Sequence, residues 1–448
     1  MTTLDPITET PASDVALERY ATFSAKAPSA EWLKPLRQRA LARFLELGFP
    51  TTRLENWRNT NVSAIAKTQF ELSEAARVVD ETVAGANAIR RSAEGSRIVF
   101  IDGHYAESLS SVSKDDGVIV TSLATAVNEH RDLVEPRLGS AASFEGHAFA
   151  ALNAAMLEDG AFVYIPDGVA VSGPIHLLFV STRQEGPRIA NVRNLIVAGE
   201  NSQVKIIERY EGSSESSRLT LSGTEVLLGA ASVVELYKVQ QEPDDAFHIS
   251  TLHVRHERDS RFTHSSISLG AAIARNDLFV ELGGEGAGCV LDGLYIVEGS
   301  QHVDHHTEID HAKPHCDSVE LYKGVLDGRS RGVFDGRIVV RKDAQKTNSA
   351  QTNNNLILSE LAIIDTKPQL EIYADDVKCT HGSTIGQLDE EAMFYLRSRG
   401  IDRKDARNLL IYAFASEVVG RIRVKALREE LQGVLLERLP GDGSGAAL

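Results

Sequence analysis

The pentapeptide Val-Glu-Leu-Tyr-Lys occurs twice in this chain, at Val234–Lys238 and again at Val319–Lys323. Small residues preceding a strand-like run recur at Ser202, Ser232, Ser260, Ala287 and Ser318, at nearly even steps. The pentapeptide offset is close to three such steps. A fixed period of this size confines the fold, because a unit so short cannot bury an apolar face alone and must stack on its neighbours. The units are β in grammar. Runs such as "QVKIIERY", "TEVLLG", "VVELYKV" and "GLYIVEG" are rich in β-branched and aromatic residues and are broken by Gly, Asn, Asp and Ser. Asn-Gly hairpin signals, which an antiparallel sandwich would need, are scarce. The pattern predicts a mainly β protein built on a parallel β-helix.

That grammar runs from about residue 96 to 388, with helical periodicity almost absent. Residues 1–95 read as an N-terminal helical domain. In "EWLKPLRQRALARFLELGFP", Leu33, Leu36, Ala40, Phe44 and Leu47 follow helical spacing, Pro35 suits a first turn and Gly48 supplies the stop. Trp57 reads as a core anchor. Residues 389–448 read as a C-terminal helical domain, with Asp389 as an N-cap, Gly400 as a stop and a second start at Asp402. Its apolar stripes from Leu409 to Leu431 exceed what a cap needs and suggest a docking face. The tail "PGDGSGAAL" reads as disordered.

A net charge of -16 opposes a broad grip on nucleic acid or an anionic membrane. The acidic start lacks a signal peptide's basic and apolar regions, and no apolar run approaches ~18 residues, so the chain is expected to be cytoplasmic. Cys289, Cys316 and Cys379 are odd in number and widely spaced, which argues against disulfides and against a four-thiolate metal site.

Three constellations could carry chemistry. In "QHVDHHTEIDHAKPHC", His302, Asp304 and His306 would share one face of a strand and could present three ligands to a metal, with His305, Asp310, His311, His315 and Cys316 close by. The bland alternative is an internal polar ladder of stacked coils. Asn353, Asn354 and Asn355 suit a turn in which Asn adopts the left-handed region. In "VKCTHG", Cys379 and His381 leave the same face of a strand, and Lys378 could lower the thiol pKa. A thiol and an imidazole make half a cluster site. The glycines of "ELGGEGAGCV" lack a phosphate-cradling order, and no G-x-S-x-G elbow occurs. A carbohydrate-active enzyme using Asp304 and Asp310, or a hydrolase built on His302 to His315, are the alternative readings.

The segment Phe334 to Ile401, "FDGRIVVRKDAQKTNSAQTNNNLILSELAIIDTKPQLEIYADDVKCTHGSTIGQLDEEAMFYLRSRGI", closely resembles the SufB/SufD family of iron-sulfur cluster assembly proteins, and looks most like its SufD branch. The likeness extends upstream through "HVDHHTEIDH" and "SVELYKGVLDG", and loosely to "RLENWRNT". The resemblance implies a right-handed parallel β-helix between helical domains, and a non-enzymatic scaffold that works with a SufB-like paralogue and a SufC-like ATPase. It implies that the ATPase docks on the C-terminal helical region. It places a cluster-assembly histidine on His381, beside Cys379, at the paralogue interface, with sulfur chemistry mainly on the partner. The lone chain is then expected to hold no tight cofactor, the cluster to be transient in the complex, and a homodimer to be possible in isolation. A flavin accompanies the assembled family complex, and nothing in this sequence identifies a site for it.

Overall fold

Successive strands fall alternately into two stacked parallel sheets, so each coil gives one strand to each sheet. One sheet runs from Ala161–Ile165 to Ile363–Ile372, the other from Ser96–Ile101 to Lys378–Gly386. The chain is therefore a parallel β-solenoid flanked by helices. This computed structural model describes residues 12–26, 30–75, 94–113, 117–212 and 217–438. The first eleven residues, residues 76–93 of the N-terminal region and the tail from Pro440 lie outside the described residues. The apolar core lies between the sheets, in stacks such as Ile206, Leu236 and Leu291.

The small-residue period has a physical source at the coil corners. Asn201, Ala231, Asp259, Gly286, His315 and Lys346 all adopt the left-handed region. Each donates its N–H to a carbonyl of the next coil, as Asn201 does to Ala230 at 2.8 Å and Lys346 to Asp376 at 2.7 Å. The residue that follows is turned into the packed corner and must be small: Ser202, Ser232, Ser260, Ala287, Cys316 and Thr347 are all buried. The serines donate to the carbonyl three residues back. The fifth corner residue is thus Cys316, where the sequence spacing had pointed to Ser318.

That shift changes what the repeated pentapeptide means. The ladder register carries Val234 to Phe262, Cys289 and then Ser318, not to Val319. A one-residue slip turns every side chain to the other face. Tyr237 accordingly lies on the outer face against the C-terminal helices, while Tyr322 lies in the solenoid core. Lys238 is buried inside, where its Nζ donates to His248 Nε2 at 2.9 Å, Ser250 Oγ at 2.6 Å and Asn276 Oδ1 at 2.7 Å. Burial pulls its ammonium down to about 8. Lys323 reaches outward to the Phe414 carbonyl and Glu417. Lys238→Met is therefore expected to cost about 2–4 kcal/mol, because three buried acceptors lose their donor. Lys323→Met should cost about 1 kcal/mol or less, since its half-exposed partner Glu417 can turn to water. Urea midpoints of the two variants decide between this and equal effects.

Lys34–Leu47 is helical, with Pro35 in its first turn and Gly48 closing it at φ 62°. Helices also occupy Leu123–Glu129, Arg131–Val134 and Ala148–Ala155, inside the span read as continuous β. The last was invisible to periodicity for a physical reason. All eight of its residues are buried, so it carries no polar stripe.

Asp389 caps Glu390–Ser398, and Asp402 caps Arg403–Val419. The C-terminal helices lie along the solenoid's flank, not over its end. Val418, Val419, Ile422, Leu427, Leu431 and Leu435 pack on Ile207, Tyr237, Val239, Ile267, Leu294 and Leu321 of the outer sheet face. The apolar stripe that suggested a docking face is spent on this internal contact.

Candidate functional site

Both sheets stop at an unpaired edge on the same end of the solenoid. Among the described residues Ile363–Ile372 and Lys378–Gly386 each have a neighbour on one side only, and Lys378–Gly386 is exposed along nearly its whole length. The other end is closed by short antiparallel pieces, Ile119–Ser122 and His104–Tyr105. Unpaired strand edges present free N–H and C=O groups and invite another chain. Around this edge Leu361, Ile363, Ile372, Tyr373 and Ile385 are exposed.

Cys379 and His381 lie on this edge strand and share its inward face. Cys379 extends a column that runs through Phe262, Cys289, Ser318 and Ser349, and it packs against the core. His381 extends the column of Leu236, His264, Leu291, Glu320 and Gln351. Because no further coil covers it, His381 is open to solvent. Burial raises the Cys379 thiol pKa. The expected lowering by Lys378 is not found, since adjacent strand residues point to opposite faces.

The histidine-rich segment does not converge on one point. His302, Asp304 and His306 do share the outer face of His302–His311, but Asp304 is engaged already. Arg275 Nη1 donates to Asp304 Oδ2 at 2.6 Å and Arg275 Nη2 to Asp277 Oδ1 at 2.8 Å. Thr60 Oγ1 also donates to Asp304, and with that proton committed, His302 Nε2–H donates to Thr60 at 2.8 Å. Burial pushes the Asp304 pKa up, yet Arg275 and His306 hold it well below the usual carboxylate range. His305 and His311 are buried on the inner face, as a polar ladder would place them, and His315 and Cys316 form a corner. Among the described residues no group of three or more His, Cys, Asp and Glu side chains is placed to hold a metal ion.

What sequence reading missed here is a strap. Residues 55–60 cross four consecutive coils of one sheet, with Glu55 on Lys367, the Asn56 carbonyl on Arg275, Asn59 on Arg331 and Thr60 on Asp304. Trp57 packs under the Arg275 guanidinium, 3.7 Å from the ring centroid. The asparagine run is also relocated, from a turn to the strand Asn348–Ile357. Asn353 and Asn355 face inward and bond to Tyr295 and to each other.

Eight of the 14 histidines have lowered pKa values, chiefly through desolvation, among them His253, His256, His264 and His305 at about 3 and His176 and His311 at about 4. Below the ordinary histidine value of ~6.5 the unfolded chain binds protons that the folded chain refuses, so stability falls as pH drops. Cooperative unfolding in acid is expected, with a midpoint between about pH 4 and 6. A urea midpoint that stays level from pH 7 to 4 would contradict this.

Comparison with known proteins adds the decisive observation. Residues 179–414 match the SUF system FeS cluster assembly SufBD core domain, and residues 17–177 match the SufBD protein N-terminal region. The chain belongs to the SufBD family. It is 30% identical to the iron-sulfur cluster assembly protein SufD of Escherichia coli (strain K12), over 91% of this chain and 93% of that one. It is 34% identical to a SufBD family protein of Synechocystis, covering 93% of each, and 30% identical to SufD of Bacillus subtilis, covering 93% and 96%. A chloroplastic relative occurs in Arabidopsis thaliana. Membership makes this SufD-like chain an iron-sulfur cluster assembly protein of the SUF system. Among the described residues of this SufBD protein no helix is long and apolar enough to cross a membrane, and all three cysteines are free.

Proposed function

We propose that this SufBD protein is a non-catalytic scaffold subunit that pairs its open solenoid edge with a SufB-type partner and contributes His381 to the cluster being assembled there. The observation that carries the reading is the position of His381: an uncovered imidazole on an unpaired edge strand, next to a half-buried thiol. The cluster is cargo, completed by ligands from the partner. Cys379, whose thiol pKa is raised by burial, is the secondary ligand because it must give up its proton to bind. A SufC-type ATPase docks on the C-terminal helical region, and with the apolar stripe occupied, the docking face is the outer surface of Glu390–Ser398. Phe394 is 75% exposed and Tyr395 57% exposed there. In the absence of a SufB-type partner the same edge pairs with a second copy. The site of action is the cytoplasm.

Anaerobic co-expression with SufB-type and SufC-type proteins of the same organism, followed by iron and sulfide quantification, tests the reading. The purified complex should carry a cluster, and the lone chain neither stoichiometric iron nor ATPase activity. A lone chain with matching iron and sulfide, or a chain that never co-purifies with the SufB-type protein, would sink it.

A further inference from the structure

Behind His381 the inward column continues into the solenoid as Gln351 and then Glu320, one residue per coil. Both are buried. Gln351 Nε2 donates to Glu320 Oε2 at 2.6 Å. Burial pushes the Glu320 pKa up to about 7, and above that pH its carboxylate only accepts, so this bond turns the NH₂ end of the amide toward Glu320. The other end, Gln351 Oε1, is buried and has no hydrogen-bond partner among the described residues. An unpaired buried carbonyl oxygen is unfavourable, and the next side chain along the column is an imidazole with an N–H to give.

We propose that Gln351 is a positioning residue for His381: its Oε1 accepts the N–H of one imidazole nitrogen, so that the other nitrogen presents a bare lone pair at the solenoid edge. Glu320 acts one step further back by holding the amide in the orientation that exposes Oε1. Metal-binding histidines commonly donate their second ring N–H to such an acceptor, which fixes the tautomer before the metal arrives. The inference rests on the reading of His381 as a cluster ligand for its purpose, but its geometry belongs to this chain alone.

The tautomer of His381 can be read directly in full-length protein carrying ¹⁵N-histidine. Spectra are recorded at pH 8.5, above the Glu320 value of about 7, and the signal is identified by its absence from His381→Ala. The wild-type ring should favour one tautomer. Gln351→Met should change the tautomer ratio by about 2- to 12-fold, the range of one hydrogen bond. Glu320→Gln, which frees the amide to turn over, should move it the same way by less, and it carries the test if Gln351→Met does not fold. Ser349→Ala, which loosens the neighbouring inward column of the same strand, should leave the ratio unchanged. An unaltered ratio in the folded Gln351 variant, or an equal shift in Ser349→Ala, overturns the proposal. Cluster yield separates this failure from the other one. A His381→Ala complex with full yield removes the ligand reading and leaves the tautomer result standing.

Discussion

His381→Ala is expected to lower cluster yield per intact complex by more than about tenfold while leaving the chain folded and the complex assembled. The magnitude follows from losing a ligand outright, when disturbing a residue merely behind a ligand already costs about 10- to 100-fold. Sparing of the fold follows from position, because the side chain is open to solvent at the end of its column and supports no coil above it. Cys379→Ser should do less harm, since burial keeps that thiol protonated. Wild-type yield from His381→Ala would remove the residue from the site. Loss of the complex itself would make its role structural.

Arg275→Met should produce the largest loss of stability, about 3–5 kcal/mol, because it leaves carboxylates buried without their cation. Arg275 is fully enclosed by Asp277, Asp304, the Asn56 carbonyl and the Trp57 ring. Its partners cannot turn to water, as those of a surface pair do. Much of the loss is therefore the cost of orphaned charge, and adding Asp304→Asn should recover part of it. Additive losses in the double variant, measured by urea unfolding, would show that the charge is not the cause.

The coil architecture was legible because a corner leaves two marks in the chain: a residue that tolerates the left-handed region and a small residue after it. Ser202, Ser232, Ser260 and Ala287 marked the period correctly. The fifth mark failed because a buried cysteine, Cys316, does the work of serine there. The VELYK copies were read as equivalent although they face opposite ways, since identity of sequence says nothing of register until the corners are fixed. Ala148–Ala155 hid because burial on every side erases periodicity. At the site, the shared face of Cys379 and His381 was readable from strand alternation. The backing residues Gln351 and Glu320 were not, because their relation to His381 runs across coils, one and two turns back along the chain. The strap was hidden likewise. No local signal in "ENWRNT" announces that Arg275, Asp304, Arg331 and Lys367 will line up beneath it.

The open edge also sets an order of events during synthesis. A ribosome delivers coils in sequence, and each new one is templated by the coil before it, so growth has a direction. The strand that bears His381 leaves the exit tunnel after every coil that supports it. A chain stalled midway would expose a different edge, one without the histidine. That edge is the last the coils make, and only the flanking helices from Glu390 onward follow it.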